Sequence, residues 1–190
     1  GNEDTALVIT GVTIADVDAA SNAVRVTLSV PSGSFSAASI GGVTVSGSGT
    51  GLLVLDGTVA NINAFIAAAN AVYAPAANAN GNVAMTVTVS DLGNAGSGGP
   101  RTATAAVTLA IAPINDAPDA LDDGTVGTPL LTVNENSGPS APVVVLANDT
   151  DVEGNALLVT AATSPNGSVT INGDGTLSFT PAANFNGPTT

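Results

Sequence analysis

The sequence predicts an all-β chain of two β-sandwich domains in series, the second lacking its last two strands, with one short helix in the first. One observation is alternation: β-branched and polar residues take turns in residues 24–30 (VRVTLSV), 83–90 (VAMTVTVS) and 102–111 (TATAAVTLAI). A period of two between Gly, Asn and Pro boundaries is typical of antiparallel strands. A second observation is an internal duplication. With 44% hydrophobic residues, the 190-residue chain can bury a core despite its net charge of -13.

Two local elements are predicted besides the alternating strands. In the first half, Ile62, Phe65, Ile66 and Ala69 fall at helical spacing, which predicts a short helix that closes one end of a sandwich. In the second half, residues 168–179 (SVTINGDGTLSF) predict a hairpin whose Asn-Gly-Asp-Gly turn supplies positive-φ positions. The four phenylalanines are predicted core residues: Phe35, Phe65, Phe179 and Phe185.

The duplication sets the domain boundaries. Residues 73–81 (YAPAANANG) match residues 179–187 (FTPAANFNG) in every position except three. The first copy is longer, and its extra stretch holds the helical segment. A proline-flanked joint (PINDAP) lies between the copies, which predicts domains 1–114 and 119–190 around a linker, 115–118. The two strands that follow residue 81 have no counterpart after residue 187, so the second domain is expected to expose apolar surface and an unpaired sheet edge.

The composition excludes most chemistry. The chain has no Cys, His, Trp or Lys, and its two basic residues are Arg25 and Arg101. It therefore has no thiolate or imidazole catalyst, no Schiff-base amine, and no nitrogen or sulfur ligand for zinc, copper or iron. Carboxylate-pair hydrolysis remains, but such enzymes need aromatic walls, and we expect no enzyme. A pI near 4.1 opposes binding to nucleic acid or anionic lipid. No apolar run is long enough to insert into a membrane.

A set of oxygen-bearing residues recurs in both copies. The first copy has Asn2-Glu3 followed by Asp16-Val17-Asp18, and the second has Asn134-Glu135 followed by Asp149-Thr150-Asp151. Two further motifs belong to the set: Ser90-Asp91-Leu92-Gly93 and Asn115-Asp116-Ala117-Pro118. The whole chain thereby resembles the cadherin-like repeats of large bacterial surface adhesins. The resemblance implies seven-stranded Greek-key sandwiches with calcium bound between successive units.

By position, the resemblance implies a set of calcium ligands. The joint inside this chain would use Glu3, Asn115, Asp116, Asp149 and Asp151. A joint with a preceding unit would use Asp16, Asp18 and Asp91, and Glu135 is the early Glu of the second unit. Two departures imply fewer or looser ions: Pro113 stands where the family usually has Asp, and the second Asn after Asp116 is missing.

Physical chemistry favours calcium independently. Carboxylates about 4 Å apart repel by roughly 4 kcal/mol at a surface-like dielectric, and the loop that holds Asp149, Asp151 and Glu153 would place several together. Calcium reverses that repulsion and accepts six to eight oxygens in loose geometry. The alternative is that these acids form a solvated loop that keeps an exported protein soluble. The Asp122-Asp123 pair, Asp174 and the Pro-Ala-Ala-Asn-x-Asn-Gly motif are predicted turn residues.

These observations together predict a structural module of an extracellular or bacterial-surface adhesin or fibre, stiffened by Ca²⁺ at the joint. Its expected partners are neighbouring repeats or copies of itself. Either later residues of a longer array complete the second unit, or a neighbouring molecule donates a strand, residues 5–14, and builds a head-to-tail filament. The alternative is a ligand- or carbohydrate-binding accessory module of a secreted protein, for which Tyr73 is the available aromatic residue. A carboxylate-pair glycosidase is the third hypothesis.

Overall fold

The chain consists of two compact units, Gly1–Ile114 and Asn115–Thr190. The computed structural model describes residues 1–93, 98–125 and 127–190. The prediction of an all-β chain with a single short helix is confirmed for these residues. None of the helical structure within them has the length and hydrophobicity that a bilayer crossing requires.

Two antiparallel sheets and one helix build the first unit. The strands are β1 (Leu7–Val8), β2 (Ala23–Ser29), β3 (Ser34–Ser36), β4 (Thr44–Ser46), β5 (Leu52–Thr58), β6 (Val72–Ala74), β7 (Gly81–Ser90) and β8 (Thr102–Ile111). The smaller sheet has the order β1-β6-β3, and the larger has the order β4-β5-β2-β7-β8. The longest pairing is the β7–β8 hairpin, which runs from Gly81 opposite Ile111 to Ser90 opposite Thr102. This arrangement is that of a β-sandwich.

The core of the first unit follows from the alternation of its strands. In the central strand β2, Val24, Val26 and Leu28 are buried while the intervening side chains are more exposed. The smaller sheet contributes Phe35 and Tyr73, whose ring centroids lie 5.7 Å apart. The Tyr73 hydroxyl donates a hydrogen bond to the carbonyl of Ser32 (2.9 Å), so the buried ring leaves no unsatisfied polar atom.

The predicted helix is α1, Val59–Ala67. It begins after Thr58, whose side-chain oxygen accepts a hydrogen bond from the N–H of Asn61, a normal N-cap. Its buried residues are Ile62, Phe65 and Ile66. The assignment of Ala69 to the same face was wrong: the helix ends before it, and Ala69 is exposed with a φ of 62°.

Residues 9–14 are anchored in their own unit at both ends of the segment. The side chains of Ile9 and Ile14 are buried. Asn63 of α1 pairs with the backbone of Ile14 as a neighbouring strand would, accepting from its N–H and donating to its carbonyl, both at 2.9 Å. The segment is therefore anchored by both packing and hydrogen bonds.

The second unit contains the predicted hairpin, which is confirmed. Strands β9 (Gly167–Ile171) and β10 (Leu177–Pro181) pair antiparallel with Leu177 opposite Ile171. In the turn, Gly175 has a φ of 82°, which a residue with a side chain rarely adopts. Oδ1 of Asp174 accepts hydrogen bonds from the backbone and the hydroxyl of Thr176, as expected of a turn residue.

Apolar side chains are poorly covered in the second unit. Among its described residues, no hydrophobic side chain is fully buried, and Leu158 is 72% exposed. Phe179 and Phe185, predicted as core residues, are only half-buried, so that part of the prediction was wrong. The physical reason is that a two-stranded hairpin cannot enclose an aromatic ring without further layers.

Candidate metal centre

Hydrogen bonds join two stretches of the second unit. We call residues 115–122, which begin with the predicted linker, the linker segment, and we call residues 148–155 the acidic loop. Asp119 and Thr150 exchange two backbone bonds of 2.8 and 3.0 Å. Oδ1 of Asp149 accepts a hydrogen bond from the N–H of Leu121 (2.8 Å), and Nδ2 of Asn148 donates to the Leu121 carbonyl (3.3 Å). The fold therefore brings the linker segment alongside the acidic loop, with Asp149 next to Leu121 and not in the acidic group that contains Asp116.

The start of the linker segment and the end of the acidic loop form an oxygen-rich group. Oε2 of Glu153 accepts a hydrogen bond from the N–H of Asp116 (3.0 Å). Oδ1 of Asn115 accepts one from Nδ2 of Asn155 (3.0 Å). Asp116 and Glu153 each have a carboxylate oxygen within 4.8 Å of the other's. Oε1 of Glu153 is buried and has no hydrogen-bond partner.

Asp151 shapes the acidic loop from within. Its Oδ1 accepts hydrogen bonds from the N–H groups of Glu153 (3.1 Å) and Asn155 (2.9 Å). Its carbonyl accepts one from Gly154, which turns the chain with a φ of 72°. Asx-type bonds of this kind mimic a backbone turn. They direct Glu153 back toward the linker segment.

The composition of this group suits calcium. The side-chain atoms that this group offers to a cation are carboxylate and amide oxygens, from Asn115, Asp116 and Glu153. Hard cations prefer such ligands, and calcium tolerates irregular arrangements better than magnesium does. A buried carboxylate oxygen that lacks a hydrogen bond is costly unless a proton or a cation reaches it. A bound calcium would supply the missing partner of Glu153.

Glu153 was not among the sequence-predicted ligands. The loop spacing carried a signal for it, since Asp149, Asp151 and Glu153 alternate along the chain. Alternation puts such residues on the same side of an extended segment. Its pairing with Asp116 could not be read from that spacing, because the contact joins residues 37 positions apart.

Glu3 lies in the first unit and is only 1% exposed. Its Oε1 accepts a hydrogen bond from the N–H of Ile114 (2.6 Å), and its Oε2 accepts one from Nδ2 of Asn80 (3.2 Å). Its own N–H donates to the carbonyl of Ala112 (2.9 Å). Both carboxylate oxygens of Glu3 are thus engaged inside its own unit, and its assignment as a calcium ligand stays a prediction.

The remaining predicted ligands are dispersed. Oδ1 of Asp16 accepts from the N–H of Asp18 (2.9 Å) and Asp18 itself is exposed. Oδ1 of Asp91 accepts from the N–H groups of Arg101 (2.7 Å) and Gly93 (2.8 Å), which lower the pKa of that carboxyl. Asp16 and Asp91 line one cavity, but within the described residues no third acidic ligand joins them. Glu135 is exposed.

Asp123 gives a prediction about pH. Burial, then repulsion from Asp149 and Asp122, raises the pKa of its carboxyl. For an acid whose pKa is raised on folding, the contribution of that carboxyl to stability is fully present below its unfolded-state pKa of about 4. The contribution is lost as the pH rises through the folded-state pKa. In chelator, Asp123→Asn should therefore raise the melting temperature of the second unit at pH 7 and leave it unchanged at pH 3.

Asp174→Asn is the matched control for this calorimetric measurement. Hydrogen bonds from the side chain and backbone of Thr176 lower the pKa of Asp174. A carboxylate whose pKa is lowered on folding stabilises the protein when the pH is above its unfolded-state pKa. This variant should therefore lower the melting temperature at pH 7. Equal shifts of the same sign for both variants would contradict the electrostatic assignment of Asp123.

Comparison with known proteins supports the resemblance in the second half of the chain. Residues 114–190 match the family model of the cadherin-like domain. Neither the curated proteins nor the solved structures give a match to the chain. The matched residues include the whole linker segment, the acidic loop and the β9–β10 hairpin. Cadherin-like domains are adhesive or structural modules that are typically extracellular. The predicted resemblance is confirmed for this stretch: residues 114–190 are similar to a cadherin-like domain.

Proposed function

We propose that the chain is a non-enzymatic structural module of an extracellular adhesin or fibre, and that calcium binds where the linker segment meets the acidic loop of the second unit. The observation that carries the proposal is the facing pair of carboxylates, Asp116 and Glu153, within 4.8 Å of each other. The buried, unpartnered Oε1 of Glu153 supports it.

The energetics favour a cation at this place. Two carboxylates at such a distance repel by roughly 3 to 4 kcal/mol at a surface-like effective dielectric. Apart from its two arginines the chain has no cationic side chain, and both arginines lie in the first unit. No cationic side chain of its own unit can therefore neutralise this carboxylate pair, and calcium is the cation from solution that best matches its oxygen ligands.

The proposed role of the ion is mechanical. The linker segment is the first part of the second unit, and it follows Ile114 directly. An ion shared between this segment and the acidic loop would hold the segment on its own unit and suppress bending at the domain boundary. Extracellular calcium modules bind at roughly 10⁻⁴ to 10⁻³ M, so a tenfold excess stabilises by about 1.4 kcal/mol per site. That is sufficient to change the population of a bent linker about tenfold.

The proposed partners are neighbouring repeats. Strand donation by residues 5–14 of an intact copy has a structural cost, because Leu7–Val8 pairs with β6 and Ile9 and Ile14 are buried in their own unit. A donor copy would have to release them. The exposed apolar side chains of the second unit are the surface that a neighbouring repeat would cover: Leu121, Leu130, Val144, Val152, Leu158 and Ile171.

The ligand-binding alternative has less support. Tyr73, the aromatic residue available for stacking on a sugar, has no exposed surface. The other aromatic residues are buried or half-buried phenylalanines. Carbohydrate recognition without an exposed ring would rest on hydrogen bonds alone, and no cluster of polar groups in the described residues favours it over calcium.

Calorimetric titration of the full chain with calcium and, separately, with magnesium tests the proposal. We expect saturable calcium binding in the 10⁻⁴ to 10⁻³ M range, roughly as for other extracellular modules, and weaker magnesium binding. Absence of binding heat up to several millimolar calcium, together with an unchanged melting temperature, would refute the proposal.

A further inference from the structure

The repeated Pro-Ala-Ala-Asn-x-Asn-Gly motif makes the same turn in both units. In the first unit the N–H of Ala79 donates to the carbonyl of Ala76 (3.1 Å). In the second, the N–H of Phe185 donates to the carbonyl of Ala182 (3.2 Å). The first Asn of the motif adopts a positive φ in each case, 56° at Asn78 and 60° at Asn184. Asn tolerates this left-handed conformation better than most residues with side chains.

That turn contacts the same acidic segment in both units. The N–H of Asn78 donates to Oδ1 of Asp4 (3.0 Å), and the N–H of Asn184 donates to Oδ1 of Asn136 (2.9 Å). Asp4 and Asn136 each follow the early Glu of their unit, and both have a positive φ, 53° and 56°. The contact thus persists although the acceptor is a carboxylate in one unit and an amide in the other.

The second Asn of the motif adds a further bond in the first unit. Nδ2 of Asn80 donates to Oε2 of Glu3, whose Oε1 accepts from the N–H of Ile114. Glu3 is buried, so its carboxylate depends on these donors. Asn80 therefore holds Glu3, and Glu3 holds the backbone immediately before the linker segment.

We propose that Asn80 is a positioning residue that acts through Glu3 on Ile114 and so fixes the chain where it enters the linker segment. We call the chain of contacts Asn80–Glu3–Ile114 the clasp. Its effect on calcium rests on the proposed function: because Asn115 and Asp116 follow Ile114 directly, loosening the clasp disorders the start of the calcium site. The clasp itself, as a set of hydrogen bonds in the first unit, does not depend on calcium.

Amide hydrogen exchange of the full chain, followed by NMR in chelator, tests the clasp. Asn80→Ala removes the hydrogen bond that holds the Glu3 carboxylate, so the Ile114 N–H loses a fixed acceptor. Exchange of the Ile114 amide should therefore speed up by about tenfold or more. The amides of the central strand β2 should keep their protection. The control is Asp4→Asn, which installs the residue that the second unit has at the aligned position and should leave the Ile114 amide unchanged.

The outcomes separate the clasp from the proposed function. Unchanged Ile114 exchange in Asn80→Ala, or equal acceleration of the β2 amides, would overturn the clasp. If Asn80→Ala does not fold, Asn80→Ser gives the same comparison with a smaller change in volume. Calcium affinity measured on the same variants should fall several-fold for Asn80→Ala and not for Asp4→Asn. If the unaltered chain binds no calcium, the proposed function fails, while the exchange result still decides the clasp.

Discussion

Glu153→Gln is expected to weaken calcium binding by the full chain at least tenfold. Glu153 carries the buried Oε1 without a hydrogen bond and lies within 4.8 Å of the Asp116 carboxylate. The substitution keeps the size of the side chain but removes one of the two facing charges, and affinity at such sites depends on the number of charged ligands. Even partners that only orient a ligand change metal affinity by about 10- to 100-fold. Isothermal titration calorimetry measures the change directly.

Glu135→Gln is the matched control, since it is the same substitution in the same unit. Glu135 is exposed and forms no part of the Asp116–Glu153 group. Its replacement should leave calcium affinity unchanged. If both variants weakened binding equally, the effect would come from net charge and not from a site. If neither did, the group would be a solvated acidic loop.

Tyr73→Ala is expected to lower the free energy of unfolding of the first unit by about 3 to 5 kcal/mol, the usual cost of removing a buried aromatic ring. The Tyr73 side chain has no exposed surface and its ring lies 5.7 Å from that of Phe35. The measurement is urea denaturation followed by circular dichroism. The loss should be the same in calcium and in chelator, because Tyr73 belongs to the core of the first unit.

Tyr73→Phe separates the ring from its hydroxyl. This variant keeps the packing but leaves the Ser32 carbonyl without its donor, so we expect a loss of about 1 kcal/mol. Burial raises the pKa of Tyr73, so its stabilising contribution is fully present below the ordinary value of about 10 and is lost as pH rises through the folded-state value. Equal losses for the Ala and Phe variants would contradict the placement of the ring in the core.

Local sequence signals predicted the helix of the first unit and three of its described strands, β2, β7 and β8. Alternation located β2 and β7, in which alternate side chains are buried, and also β8, whose buried side chain is Ile111 at its end. The Asn-Gly-Asp-Gly turn located the hairpin of the second unit. The end of α1 was missed, since the alanines after residue 67 favour a helix and only the reversal of the chain at Ala69 stops it. The burial of Phe179 and Phe185 was overestimated, because burial depends on the layers that cover a residue.

The candidate site was predictable in its residue types and only partly in its contacts. Spacing pointed to Asn115, Asp116 and the acidic loop, and the structure brings these stretches together. The contacts of Glu3 and Glu153 were not predictable, because the partner of each carboxylate is far away in sequence. Glu3 bonds to Ile114 across 111 positions, a contact that no local pattern encodes.

The central claim is that calcium binds between the linker segment and the acidic loop of the second unit. The most direct test is a calcium titration of the isotopically labelled full chain followed by two-dimensional amide NMR. We predict saturable shifts at Asn115, Asp116 and residues 151–155, with a common dissociation constant and little change in β2. No shifts at several millimolar calcium, or shifts confined to residues 16–18 and Asp91, would contradict the account.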